Sequence, residues 1–178
     1  YTVYHPFEST KSGALIRLNR DGSTDQAFSQ ALGTGFGSGG VMSIDLQSDG
    51  RIVVGGAFTS VNGVSRNRLA RLTSTGGVDL TFDPGRGFDD YVNAVTMQPD
   101  GKLVLVGGFT TFNGLLANRI VRLNPDGSVD TDFIDVAPGP VLSGTSPLIT
   151  DFAVLPNKNI VITGTFTTIQ GKPRSRIA

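Results

Sequence analysis

The 178-residue sequence has no cysteine, no tryptophan, one histidine and two methionines. Without cysteine there are no disulfides, no thiol nucleophiles and no thiolate metal sites. The only histidine, His5, lies in the opening stretch, so no His-containing triad or His-rich metal site forms within the chain. Long apolar runs are missing too: none approaches the roughly 20 residues that a membrane-spanning helix requires. Charge of one sign is not in excess, since Lys plus Arg and Asp plus Glu number 15 each. A nucleic-acid binder normally carries a basic surplus to displace counterions, and this chain has none. The one local basic cluster, Lys172, Arg174 and Arg176, reads as a solvated face. Nucleic acid and membrane insertion are therefore not expected.

What the sequence has instead is glycine, valine, isoleucine, threonine and phenylalanine. Its 24 Gly and 9 Pro are spread along the chain rather than gathered in a linker. Apolar residues make up 38% and charged residues 17%, enough for a packed core and too few charges for a disordered polyelectrolyte. Distributed glycine among β-branched and aromatic residues is the composition of short strands joined by tight turns.

Self-comparison reveals the organisation. LQSDGRIVVGGAFTSVNGVSRNRLARL (46–72), MQPDGKLVLVGGFTTFNGLLANRIVRL (97–123) and VLPNKNIVITGTFTTIQGKPRSRIA (154–178) align on Phe58, Phe109 and Phe166. A second block, RLNRDGSTDQAF (17–28), RLTSTGGVDLTF (71–82) and RLNPDGSVDTDF (122–133), aligns on Arg17/Arg71/Arg122, Asp25/Asp79/Asp130 and Phe28/Phe82/Phe133. Phe7 takes the place of Phe58 in the opening stretch. The expected units are 1–16 as the end of a preceding repeat, 17–67, 68–118, and 119–175 with an insertion near 137–147. Residues 176–178 would start a further repeat, and both ends look like breaks in a longer chain.

Inside this frame, VMSIDLQ, YVNAVTMQ and ITDFAVL are short alternating runs with one apolar face. Asp49-Gly50 and Asp100-Gly101 follow as hairpin signals. RIVVGGAF, KLVLVGGF and NIVITGTF are apolar enough for burial on both faces. Their late glycines mark a bulge or a close backbone approach. NRLARL and NRIVRL form a third strand, and the block ending in Asp79 to Phe82 is expected as a short outer fourth. No stretch shows helical periodicity. Four antiparallel strands in about fifty residues is the size of one propeller blade, so the expected fold class is all-β, with about three blades of a larger β-propeller.

The pattern F-T-x-x-N-G-x-x-x-N-R-[IL]-x-R-L-N-x-D-G-S-x-D-x-x-F resembles the delta-60 repeat family, a bacterial and phage β-propeller repeat of unknown function. The third repeat departs from it at Asn157-Lys158, Gln170 and Ser175. The resemblance implies long arrays in secreted, cell-surface or tail-fibre-like proteins, and it transfers no catalytic residues.

Several constellations invite chemistry. Gly35-Phe36-Gly37-Ser38-Gly39-Gly40 contains a formal G-x-G-x-x-G, but a strand follows it where a dinucleotide site needs a helix. Asp21/Asp25 and Asp126/Asp130 place oxygens at calcium-loop spacing, although a turn satisfying its own backbone is the favoured reading. No other cofactor is expected. The recurrent Arg and Asp are expected to tie adjacent strands, and Asn62, Asn113, Asn67 and Asn118 to hold turns. Asp89-Asp90 is the one candidate carboxylate pair for glycoside hydrolysis. The irregular loops 29–40, 83–91 and 134–148 are the candidate ligand-binding regions, with Phe36, Phe88, Asp89, Asp90 and Tyr91 as contact residues.

The expected function is a non-catalytic segment of an extracellular, cell-surface or virion protein, acting as scaffold or adhesion module. Its expected partners are the remaining blades of the parent chain or other copies of itself, and a glycan or surface protein. The alternative is a propeller-type polysaccharide hydrolase or lyase whose catalytic residues lie partly outside this chain.

Overall fold

A computed structural model of the chain describes residues 2–4, 15–135, 142–143, 148–169 and 172–174. His5, Phe7, Gln170, Ser175, Arg176, most of the insertion near 137–147 and the expected repeat start at 176–178 lie outside them. In chain order, β1 (Thr2–Tyr4) and β2 (Leu15–Arg17) pair antiparallel and lead into helix α1 (Gln26–Leu32). β3 (Val41–Leu46), β4 (Ile52–Gly56), β5 (Ser60–Val61), β6 (Val64–Ser65) and β7 (Leu69–Leu72) make the next unit. β8 (Val92–Met97), β9 (Leu103–Gly107), β10 (Thr111–Phe112), β11 (Leu115–Leu116) and β12 (Ile120–Leu123) repeat it and end at α2 (Thr131–Asp135). β13 (Leu142–Ser143), β14 (Ile149–Val154), β15 (Ile160–Gly164), β16 (Thr168–Ile169) and β17 (Lys172–Pro173) follow.

The register repeats with the sequence. β3-β4-β7 and β8-β9-β12 are three-stranded antiparallel sheets, with Val53 opposite Arg71 and Val104 opposite Arg122. Central strands β4 and β9 are buried at every residue, as their unbroken apolar runs require. A bulge recurs at the start of β3, β8 and β14, opposite Gly56, Gly107 and Gly164. A Cβ on Gly107 would stand 2.1 Å from the carbonyl oxygen of Tyr91, so the late glycine permits the close approach expected of it.

The turns follow from their residues. In the Asp49-Gly50 loop, Gln47 N–H donates to Arg51 O, Gly50 N–H to Gln47 O, and Gly50 has φ of 83°. This is a three-residue hairpin with a left-handed closing residue rather than a two-residue turn. Asn157-Lys158 keeps the same bonds in the third unit, with Lys158 at φ of 66° in the glycine position. The F-T-x-x-N-G stretch is itself a hairpin: Asn62 and Gly63, like Asn113 and Gly114, all have positive φ, the two-residue turn that Asn-Gly favours.

Two expectations are corrected. The outer fourth strand shrinks to single bridges, Leu18–Thr24, Leu72–Val78 and Leu123–Val129. Helical turns follow, where no helix was expected. The cause is the aspartate: Asp25 caps α1 by accepting from Phe28 N–H at 3.0 Å, and Asp79 accepts from Thr81 N–H at 2.9 Å. A carboxylate that satisfies nearby N–H groups ends the ladder and starts a turn. A seven-residue helix spans too few turns to show its period in sequence.

Adjacent units are joined along their inner strands and through shared cores. The Ser43 hydroxyl accepts from Val95 N–H at 3.1 Å, and the Asp45 carboxylate accepts from Met97 N–H, so β3 satisfies the open edge of β8. Each core cluster takes side chains from two consecutive units: Leu69 and Phe82 pack with Leu103, Leu105, Val121 and Leu123. Among the described residues no helix is long and apolar enough to cross a membrane.

Candidate functional site

The residues that recur once per repeat converge. Arg71, on β7, reaches Asp79 across the turn at 2.7 Å and lies 4.8 Å above the ring of Phe82. Arg17 meets Asp25 at 2.8 Å and Phe28 at 4.5 Å, and Arg122 meets Asp130 at 2.5 Å and Phe133 at 4.8 Å. The planar guanidinium serves both an ion pair and a cation–π contact. Arg51 lies 3.4 Å from Asp79, and Lys102 lies 2.8 Å from Asp130. Burial raises the Asp79 carboxyl pKa, but bonds from Thr81 and Arg71 outweigh it and hold it below the ordinary 3.8. At Asp130 the bonds from Lys102 and Arg122 likewise overcome burial. Asp25 is lowered by the N–H of Phe28 and then by Arg17.

The expected tie between strands is there, and it extends one repeat further than the sequence suggested. Arg17 Nη1 donates to Ser74 O, and Arg71 Nη1 donates to Pro125 O at 2.8 Å. Both carbonyls belong to the turn of the following repeat. A Cβ on Gly76 would stand 2.9 Å from the Phe28 ring, and one on Gly127 would stand 3.1 Å from the Phe82 ring. The Arg17–Asp25–Phe28 and Arg71–Asp79–Phe82 clusters are thus cradles for the next turn. One sequence signal of this was available: the second turn exchanges its Asp for Thr75 yet keeps Gly76.

The candidate calcium loops divide their carboxylates. Asp21 accepts from the Ser23 N–H at 3.0 Å and hydroxyl at 2.7 Å, and Asp126 treats Ser128 in the same way at 2.9 and 2.7 Å. Asp25 and Asp130 face their arginines. Among the described residues no group of three or more His, Cys, Asp or Glu is placed to hold a metal ion.

The loop candidates are corrected. Phe36 and Phe88 are buried, with ring centroids 4.9 Å from Phe58 and 4.4 Å from Phe109, so neither offers a stacking surface. Each bridges the two-stranded ribbon formed by the Asn-Gly hairpin, Phe36 to Val61 in β5–β6 and Phe88 to Phe112 in β10–β11, and Leu142 pairs with Ile169 in the same register. Asp89 accepts from the N–H groups of Thr110 and Thr111 at 2.9 Å each and from the Thr110 hydroxyl at 2.6 Å. Burial raises its pKa, but those three bonds together lower it below the ordinary value. Asp90 accepts from the adjoining Tyr91 N–H, and the half-buried Tyr91 ring lies against Gly108. Asp89 and Asp90 therefore hold loops through backbone N–H groups.

The asparagines do more than hold their own turns. Asn113 Oδ1 accepts from Gly87 N–H at 3.0 Å, Asn62 Oδ1 accepts from Thr34 N–H at 3.2 Å, and Asn67 donates to Arg86 O at 2.8 Å. They knit loops 29–40 and 83–91 to the ribbons, so these loops are framework. What remains exposed there and apolar is Leu115 and Leu116, on β11, at 51% and 59% exposure.

No curated protein matches the chain. Residues 47–82 and 98–133 match the model of a family described as Domain of unknown function (DUF5122) beta-propeller. The segments start 98 − 47 = 51 residues apart, and each runs from the end of an inner strand through the ribbon to the phenylalanine of the cradle. With repeated small antiparallel sheets joined through cradle and shared core, the chain is an all-β array of β-propeller repeats.

Proposed function

We propose that this chain is a non-catalytic scaffold segment, of the delta-60 kind, in a secreted, cell-surface or virion protein. One observation carries the reading. The recurring Arg17 and Phe28, and Arg71 and Phe82, held by Asp25 and Asp79, bond and pack on the turn of the following repeat. Its partners are further repeats or copies of the same kind, and it works without a cofactor. An adhesive role places a glycan or protein ligand at the ribbon end, where Leu115 and Leu116 are exposed. The hydrolase or lyase alternative draws no support from Asp89 and Asp90, whose carboxylates serve backbone groups. A glycan array together with a turnover screen on polysaccharides tests the proposal. Binding without product release supports it. Turnover that disappears in Asp90→Asn, with the fold retained, would overturn it.

A further inference from the structure

The sequence contains two Asn-Gly dipeptides, Asn62-Gly63 and Asn113-Gly114, and both stand exposed at the tips of the ribbons β5–β6 and β10–β11. In such a pair the main chain can attack its own side chain. The glycine nitrogen bonds to the asparagine Cγ, the Cγ–Nδ2 bond breaks, and ammonia leaves with the proton of the glycine N–H. Water then opens the resulting succinimide at either carbonyl, giving aspartate or isoaspartate. The net change is one water consumed and one ammonia released, with nothing oxidised or reduced. Glycine favours the reaction because no Cβ crowds the nitrogen as the ring closes.

Both turns present the nucleophile. Asn62 and Gly63 have φ of 46° and 76°, and Asn113 and Gly114 have 52° and 81°. This is the two-residue hairpin turn, in which the ladder does not use the second residue's N–H. A Cβ on Gly63 or Gly114 would meet nothing, so each glycine is uncrowded. The electrophile is guarded. Asn62 Oδ1 accepts from the Thr34 N–H at 3.2 Å and faces Gly33, where a Cβ would stand 2.3 Å from it. Asn113 Oδ1 accepts from the Gly87 N–H at 3.0 Å and faces Gly85, where a Cβ would stand 2.9 Å from it.

We propose that Asn62 and Asn113 are self-modification sites, which convert to aspartate and isoaspartate at a rate gated by release of the side chain from its loop. Each amide leaves its Thr34 or Gly87 tether before Cγ turns onto the glycine nitrogen. Aspartate keeps an acceptor for the same N–H, so that product retains the ribbon. Isoaspartate threads the main chain through Cγ, which adds a methylene to a two-residue turn and costs the ribbon its register. Each conversion also adds one negative charge to a chain whose formal net charge is zero. Other asparagines are set apart by the residue that follows. Arg68 and Arg119 crowd the nitrogen after Asn67 and Asn118, and Pro125 offers no N–H after Asn124. In the third repeat Gln170 takes the asparagine's place, and its longer side chain would have to close a larger ring, a slower reaction.

The test holds the full chain in mildly alkaline buffer at physiological temperature, follows its charge by ion exchange, and maps every asparagine by proteolytic mass spectrometry. Synthetic peptides of residues 58–68 and 109–119 give the untethered rates. Conversion is expected first at Asn62 and Asn113, slower than in the peptides by about tenfold to a hundredfold, as local opening controls it. Gly85→Ala pushes a methyl group into the Asn113 amide. It should speed conversion there about fivefold, the worth of one side-chain hydrogen bond, while Asn62 in the same molecule keeps its rate. Conversion first at Asn67 or Asn118, or a folded chain as fast as the peptides, would overturn the proposal. So would a chain that stays unmodified well beyond the expected range, or an unchanged Asn113 rate in folded Gly85→Ala. Should that variant fail to fold, the comparison of chain with peptides decides alone.

Discussion

Gly107 and Gln98 show how single positions carry the fold. Gly107 faces the Tyr91 carbonyl at the recurrent bulge, where an added Cβ would stand 2.1 Å from the oxygen. Gly107→Ala should destabilise the chain by about 3 kcal/mol, because the added carbon meets backbone that cannot turn aside. Gly22→Ala, where the new carbon meets nothing, should cost only about 1 kcal/mol for its positive φ. Thermal unfolding of the two variants side by side checks the difference. Gln98 is fully buried and neither atom of its amide reaches a hydrogen-bond partner. Its equivalent Gln47 donates to Met97 Sδ at 3.2 Å, while the third repeat places Leu155 there. Gln98→Leu should raise stability by about 1 kcal/mol, since it removes an unsatisfied buried amide. A urea midpoint that falls would show that the buried amide stabilises the fold.

Among the elements, the segment from strand to turn to helical cap matters most. Arg71 and Asp79 have side chains only 7% and 6% exposed, so the pair is buried, and Arg71 also bonds the next turn. Asp79→Asn leaves a buried guanidinium without its counter-charge and should cost about 3 kcal/mol, measured by chemical denaturation. The exposed Arg51–Asp49 pair is a natural control, and Asp49→Ala should cost less than about 1 kcal/mol through its ion pair. Sequence alone made the Arg–Asp pair legible, because its spacing never varies. It did not reveal the partner in the next repeat, because that contact spans more than fifty residues and depends on how two sheets stack. The ribbon was half legible: Asn-Gly announced its turn, but the burial of Phe36 and Phe88 beneath it came only from packing.

For the whole molecule, stability should be graded along the array, since each repeat is held chiefly by its neighbours. β9 is fully buried between two paired strands, whereas β15 is only partly buried. Amide exchange at Val104 and Leu105 should be slower than at Val161 and Ile162 by on the order of a hundredfold. Equal rates would mean that the array opens as one unit. The carboxylates of Asp25, Asp79 and Asp130 are all held below the ordinary value of 3.8. Their contribution is fully present above that value and is lost as pH falls through the lower folded-state values. Urea midpoints should therefore be nearly level from pH 7 to about 5 and drop steeply below about pH 4. A fall centred near neutrality would point to other groups.

The sequence by itself determined the all-β class, the repeat period and the pairing of Arg with Asp. Those depend on local alternation, turn residues and self-similarity, which need no knowledge of distant neighbours. It also marked the glycines where backbones approach. Only the tertiary structure decided that the fourth strand gives way to a capped turn, since a carboxylate competing for N–H groups leaves the apolar pattern unchanged. Only it moved Phe36 and Phe88 from candidate binding surface to core. Only it showed that the repeated arginine serves the following repeat, Arg17 on the Ser74 carbonyl and Arg71 on the Pro125 carbonyl. A strand sequence names the residues that need burial, whereas the stacking of one repeat on the next determines which groups bury them.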